Sequence, residues 1–358
     1  MQIAIIGAGN GGQALAGYFS LSGHKIRLYD IDEAKIVYLR KRGYIDLYGL
    51  IQGRAYISCI TNSIEETIKG AELVLVTTVA NAHNDVAISI APYIEEGQVI
   101  LLNPGRTGGA LIFKQSLKKC GCLKHYYLGE TQTLIFACRA ESIGVVNIIG
   151  IKDKVLLAGL PSLDTEYIIN KVKPIFQCFV SAKNVLFTSL GNVGAMLHPC
   201  ICLFNAATIE RQDEFWFYRD MTNNVANFIE KVDKERLSVG EAFDIHLLNI
   251  CDWTRNSYKD ARGDTLCDLL KYNPSYYDIK APGTIFTRQL TEDVPTGIVP
   301  IIELGKVAGV DTPLLNAMFL TIEALLGVDW SSCGRTLKNL GLQGKTKYEI
   351  INFVTNGE

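Results

Sequence analysis

The stretch Gln2-Ile3-Ala4-Ile5-Ile6-Gly7-Ala8-Gly9-Asn10-Gly11-Gly12-Gln13-Ala14-Leu15-Ala16-Gly17 decides how this chain folds. Residues 2–6 form a short run rich in isoleucine, the pattern of a strand buried on both faces. Residues 13–22 carry helical patterning, and Gly23 ends it. The turn between them is glycine-rich. Gly7 permits a tight bend, Gly9 lets a phosphate approach the backbone, and Gly12 lets helix and strand pack closely. Uncommitted amides and the dipole at the helix start stabilise negative charge there. Glycine turns also serve plain structural ends, so the surrounding context carries the weight. Residues 25–29 read as a second strand that runs into Asp30, roughly 20 residues beyond the turn, where a carboxylate bonds adenosine ribose hydroxyls. The reading is a dinucleotide site built on Gly7, Gly9, Asn10, Gly12 and Asp30. Asp30 would repel a 2′-phosphate and no arginine follows it directly, which favours NAD, with NADP possible. Asp32 reads as the cap of the next helix.

Working outward, apolar strands follow at 73–77, 99–102 and about 126–128, each separated by helical stretches. Such alternation predicts a doubly wound parallel sheet covered on both faces, an α/β Rossmann domain. Two further strand ends face the cofactor crevice in that arrangement, and they place Thr78 and Asn103 as cofactor contacts. An ordinary strand-to-helix turn accounts for either equally well. His83 reads as an exposed residue at a helix start. From about residue 190 the patterning becomes helical, over 192–210, 219–233, 238–258 and 313–326. The expected organisation is a Rossmann domain over 1–186 followed by a mostly α-helical substrate and catalytic domain over 187–358. The connector is short, implying closely packed domains with a cleft between them.

Composition narrows the function classes. With 35 basic and 37 acidic residues the formal net charge is −2, and the basic residues are scattered. A nucleic-acid binder would want a clustered basic stripe. The apolar runs at 73–76 and 99–102 are far shorter than the roughly 20 residues a membrane span needs, so no membrane partner is expected. The N-terminus enters a strand directly, without the pattern of a secretory signal. Ten cysteines in 358 residues show no disulfide framework, and most sit in apolar company. Cys120-x-Cys122 and Cys200-x-Cys202 lack the second ligand pair of a zinc site. The expectation is a cytoplasmic protein with reduced cysteines, no metal and a small-molecule substrate. Apolar helices could pack within one chain or across a homodimer.

A Rossmann domain leaves the substrate open, so attention falls on titratable residues of the helical half. His198 lies in Gly191-Asn192-Val193-Gly194-Ala195-Met196-Leu197-His198-Pro199, apolar on nearly all sides. A histidine in such a buried helix needs a hydrogen-bonding partner. Pro199 frees a backbone carbonyl, which could hold a purely structural histidine. The other partner available is Asp293, in Arg288-Gln289-Leu290-Thr291-Glu292-Asp293-Val294-Pro295-Thr296-Gly297. Asp293 could fix the tautomer of His198 and support its protonated form, or equally cap the following helix. Arg288 could clamp a carboxylate.

Together, 191–199 and 288–300 resemble the signatures of the octopine/nopaline (opine) dehydrogenase family. Glu130-Thr131-Gln132-Thr133 with Ala137-Cys138-Arg139 is similar to a third family segment, and the resemblance spans the whole chain. It implies NAD(P)H-dependent reductive condensation of an amino acid's amine with a 2-oxo acid, typically pyruvate. It further implies that His198 and Asp293 are the catalytic pair and that Arg288 holds the oxo-acid carboxylate. Glu130, Gln132 and Cys138 are then candidates for the substrate pocket, although their side chains could simply pack below the sheet. Trp216, Tyr218 and Trp253 are candidate pocket aromatics, and aromatics on helices more often build core.

Two rival readings share the same fold. A hydroxy-acid or ketopantoate-type reductase would place a lysine on the first long helix of the second domain, and 192–210 contains none. A non-catalytic NAD-binding protein would bind cofactor without needing His198, Asp293 and Arg288 to converge.

Overall fold

The computed structural model describes residues 1–357. It forms two compact units, one of Met1–Ser189 together with 352–357 and one of Leu190–Ile351. The break falls three residues beyond the expected 186/187 boundary. The chain end also differs from expectation, because the final helix, Lys347–Asn356, begins in the second unit and ends in the first. Its last turn packs there through Phe353, whose ring lies 5.5 Å from Lys114 Nζ.

The first unit is built on an eight-stranded sheet. Its strands are β1 (Gln2–Ile6), β2 (Lys25–Tyr29), β5 (Cys59–Thr61), β6 (Leu73–Val76), β7 (Gln98–Leu102), β8 (Tyr126–Thr131), β11 (Val155–Gly159) and β12 (Phe179–Ser181). The order is β12-β11-β8-β7-β6-β1-β2-β5. From β5 to β8 every neighbour pair is parallel, which reproduces the doubly wound order and its reversal point between β1 and β6. The sheet is not parallel throughout. β11 runs antiparallel to β8 and carries β12 parallel to itself.

A second sheet was not expected from the sequence. β3 (Tyr44–Gly49), β4 (Gly53–Tyr56), β9 (Phe136–Ser142) and β10 (Val145–Ile151) pair in the order β4-β3-β10-β9. It packs against the helix Asn10–Leu21. Gly144 N–H donates to Gln13 Oε1 at 2.7 Å, and a Cβ on Gly17 would lie 2.8 Å from Leu47. That helix is therefore buried on most of its surface, which explains its glycines and alanines in place of an amphipathic stripe.

The second unit is helical, with finer divisions than the patterning predicts. The expected helix 192–210 is two helices, Gly194–Phe204 and Ala206–Glu210. The expected 219–233 helix is Asn223–Ala242, capped by the Thr222 side chain. After it, Asp244 adopts φ +58° and Ile250–Ser257 starts a new helix under the Asn249 cap. A buried ion pair ties these pieces together. Arg236 Nε lies 2.7 Å from Asp233 Oδ1, while Arg236 also donates to Leu190 O and Leu248 O, each at 2.8 Å. Asp233 Oδ2 accepts from Ile250 N–H at 2.8 Å, so both ions are paired and hydrogen-bonded.

Residues 185–204 are apolar and long enough to cross a bilayer by composition, a stretch that the shorter strand runs do not foreshadow. In this fold 83% of that apolar window is buried inside the protein. All ten cysteines are free thiols.

Candidate active site

The cofactor end is shaped by backbone. Gly7 adopts φ +104°, and its N–H donates to Tyr29 O at 2.8 Å, fastening the turn to β2. A Cβ on Gly12 would lie 1.7 Å from Gly7 O, so no other residue fits there. Gly9 faces open space, with nothing within 4 Å of where a Cβ would stand. It is the N-cap of Asn10–Leu21 and no side chain caps that helix, which leaves first-turn amides available to an anion. Asn10 Oδ1 accepts from Ala140 N–H at 3.2 Å, which joins the helix start to β9.

Asp30 stands at the end of β2, as expected, and is firmly held. Its Oδ2 accepts from Ala8 N–H at 2.7 Å and lies 3.0 Å from Lys35 Nζ, while Oδ1 accepts from Asp32 N–H at 2.9 Å. Asp32 caps the next helix by accepting from Lys35 N–H. Thr78 lies against Gly7, with Cγ2 3.0 Å from that glycine's Cβ direction. The buried Thr78 Oγ1 and Asn103 Nδ2 have no hydrogen-bonding partner within the protein. An open glycine, an uncapped helix start and two orphaned polar atoms at the ends of β6 and β7 fit a dinucleotide. His83 departs from expectation, being fully buried, with Nδ1 3.3 Å from the Cβ direction of Gly109.

The third family-like segment divides. Glu130 is fully buried, and its carboxylate accepts from Ala110 N–H at 2.7 Å, Thr188 Oγ1 at 2.5 Å and Ser189 Oγ at 3.0 Å. This corrects its candidacy as a substrate ligand. Its oxygens hold the start of the helix Gly109–Lys119 and the end of Val185–Leu190. Gln132 is half-buried, its backbone N–H on Leu156 O. Cys138 lies on β9 beside the cofactor turn, its Sγ 3.6 Å from Asn10 O, and burial pushes the thiol up to about 11. Next to this segment Lys152 Nζ donates to Thr133 Oγ1 at 2.5 Å and Leu134 O at 3.0 Å. Burial foremost, then the Arg106 charge, pulls its pKa down to about 8.

In the second unit the expected pair does converge. His198 sits on Gly194–Phe204, one residue before the internal Pro199. Asp293 lies between the short helix Arg288–Thr291 and a π-helical turn, Val294–Ile298, that continues into Val299–Ala308. Such a turn re-aims side chains within an otherwise regular helix. Although 95 residues apart in sequence, His198 Nδ1 and Asp293 Oδ2 are 2.6 Å apart. The carboxylate can only accept, so Nδ1 carries the proton and Nε2 is left for chemistry. Asp293 is nearly buried while His198 keeps 18% of its side chain exposed, which suits one group that orients and one that reacts.

On sequence alone Tyr218 is one of several undistinguished aromatics. Its hydroxyl is 3.0 Å from His198 Nε2, and its ring stacks on Tyr276 at 4.1 Å. Burial above all, then nearby Tyr258 and Asp293, pushes its pKa up strongly, whereas Arg288 pulls it down. Arg288 itself is exposed, with Nε 3.9 Å from Glu292 Oε2. It therefore offers a solvent-exposed guanidinium whose charge is felt at Tyr218. Trp216 is engaged elsewhere, under Arg219 at 4.1 Å, and Trp253 packs on Tyr258.

Residues 181–326 match the model of the NAD/NADP octopine/nopaline dehydrogenase alpha-helical domain, and 2–101 match that of coenzyme F420-dependent NADP oxidoreductases. An octopine dehydrogenase solved with NADH and L-arginine superimposes with a TM-score of 0.79 at 20% identity, covering 100% of this chain and 98% of that one. A ketopantoate reductase from Ralstonia eutropha shares the fold less closely, with a TM-score of 0.64 at 14% identity over 91% of this chain and 98% of its own. The opine dehydrogenase of Arthrobacter sp. (strain 1C) is 38% identical over 353 residues, 98% of each chain. Identity at that level along almost the entire length, with the His198–Asp293 pair assembled, makes this chain a member of the opine dehydrogenase family.

Proposed function

We propose that the chain catalyses NAD(P)H-dependent reductive condensation of an amino acid's amine with a 2-oxo acid such as pyruvate, reversibly. The observation that carries this reading is the 2.6 Å contact between His198 Nδ1 and Asp293, in a chain 38% identical to an opine dehydrogenase. Solved octopine dehydrogenases hold NADH with L-arginine, agmatine or pyruvate, and those substrate classes suit the groups present here. Arg288 supplies a planar guanidinium for the oxo-acid carboxylate. Asp293 stabilises the imidazolium of His198, whose Nε2 proton polarises the oxo-acid carbonyl. When bound at the Gly7–Gly12 turn, NAD(P)H supplies the hydride that reduces the imine. Gln132 and Cys138 are proposed to border the substrate. The near-neutral charge and ten free thiols support a cytoplasmic enzyme with small-molecule partners, and a homodimer is its proposed assembly.

The test follows NADH oxidation with pyruvate alone and then with a panel of amino acids. Oxidation that requires both partners is the expected result. Oxidation with the 2-oxo acid alone would replace this reading with a hydroxy-acid dehydrogenase.

A further inference from the structure

We infer that Tyr218 is a third member of the reacting group, its hydroxyl joining His198 Nε2–H as a second donor to the keto oxygen of the 2-oxo acid. This rests on the condensation reading above. With Nδ1 committed to Asp293, only Nε2 can face substrate, and the atom already opposite it is the Tyr218 hydroxyl at 3.0 Å. Two donors that far apart can both reach one oxygen placed about 2.8 Å from each, the geometry of a two-point oxyanion site. Without substrate the phenol donates to the Nε2 lone pair. As substrate binds, the amino acid's ammonium passes a proton to Nε2 and becomes the free amine, and both groups then turn their protons to the keto oxygen.

The phenol is built to stay in place. Its ring is stacked on Tyr276 with an interplanar angle of 16° and meets Phe217 edge-on at 5.0 Å. Tyr276 packs in turn on Tyr258 at 4.9 Å. Burial keeps the Tyr218 hydroxyl protonated across the working range, so it remains a donor at every stage. A core aromatic alone would not need its one polar atom aimed at the ring nitrogen opposite a catalytic carboxylate.

Each proton in the condensation has a donor and a destination. The free amine adds to the carbonyl carbon, the C=O π pair moves to oxygen, and oxygen takes the Nε2 proton. Neutral His198 next removes a proton from the new ammonium nitrogen, giving a carbinolamine. It returns that proton to the hydroxyl, which leaves as water while the nitrogen lone pair forms the C=N bond. Tyr218 gives up no proton. It holds the oxygen while negative charge develops on it and again as the C–O bond breaks.

Two sets of variants test this. Tyr218→Phe keeps the ring stack and removes the donor. Its kcat should fall about 10²-fold, with NADH affinity measured by fluorescence titration and melting temperature both unchanged. Replacing Tyr218 with mono-, di- and trifluorotyrosine keeps the hydroxyl and grades its acidity, and kcat should follow that acidity. A kcat within about threefold of wild type in Tyr218→Phe, or rates indifferent to phenol acidity, would overturn the inference and leave condensation standing. A wild-type enzyme that needs no amine would instead overturn the condensation reading and take this inference with it.

Discussion

Gly297 packs so tightly on Ala195 that a Cβ there would stand 2.5 Å from the Ala195 Cβ. This contact sets the spacing between the turn that carries Asp293 and the helix that carries His198. Gly297→Val must push the two segments apart, at a typical overpacking cost of about 1–3 kcal/mol. The expected outcome is a kcat loss of at least about tenfold, with a modest fall in melting temperature. Full activity would show that the pair does not depend on this approach.

Asp293→Asn keeps the size of the side chain and removes its charge. Nδ1 retains an acceptor, but the imidazolium loses its counter-ion. Turnover should fall by about 10²-fold or more, with NADH affinity intact in a fluorescence titration. An unchanged kcat would remove Asp293 from the mechanism.

Gly12→Ala should abolish measurable NADH binding in the same titration. A methyl group 1.7 Å from Gly7 O cannot be accommodated without moving the turn. Retention of wild-type affinity would place the dinucleotide elsewhere.

Arg236→Met leaves Asp233 buried and charged without its partner. Breaking such a pair costs about 3–5 kcal/mol, read by denaturant unfolding. Because Arg236 also anchors Leu190, at the start of the segment leading to His198, activity should fall with stability. A loss below about 1 kcal/mol would show that the pair is dispensable.

Lys152 gives the pH prediction. In the folded protein its pKa is lowered from 10.5 to about 8. Between those values the unfolded chain holds the proton and the folded chain does not, so this group makes stability rise with pH across that window. Cysteines and tyrosines titrate there too, so the quantity to measure is the stability of wild type minus that of Lys152→Met. That difference should climb by up to roughly 3 kcal/mol between about pH 8 and 10.5. A flat difference would show that Lys152 carries an ordinary pKa.

The strand-turn-helix at Gly7–Gly12 was legible because every local cue, from glycine spacing to Asp30, pointed the same way. The second sheet was not legible. Its strands come from two distant stretches, and β9 buries Phe136 alone before alternating exposed with partly buried positions, so no apolar run marks it. The His198–Asp293 pair spans 95 residues, a distance that periodicity does not address; the residues offered Asp293 as one of two readings, and the family resemblance selected it. Glu130 misled for a physical reason. A carboxylate engaged by a helix start and two hydroxyls looks, in sequence, like one waiting for substrate. Tyr218 stands in sequence beside Trp216 and Trp253 as a candidate pocket aromatic, and nothing there singles it out, because its role comes from the direction of one hydroxyl.

The small sheet that covers Asn10–Leu21 has a thermodynamic consequence for affinity. Gln13, Gly17 and Asn10 are each fixed to it, so the phosphate-binding turn is already ordered when folding is complete. A dinucleotide then meets a preorganised cradle and forfeits little affinity to loop ordering. Loosening a remote strand such as Tyr44–Gly49 should therefore weaken NADH binding entropically, without altering any atom near the pyrophosphate.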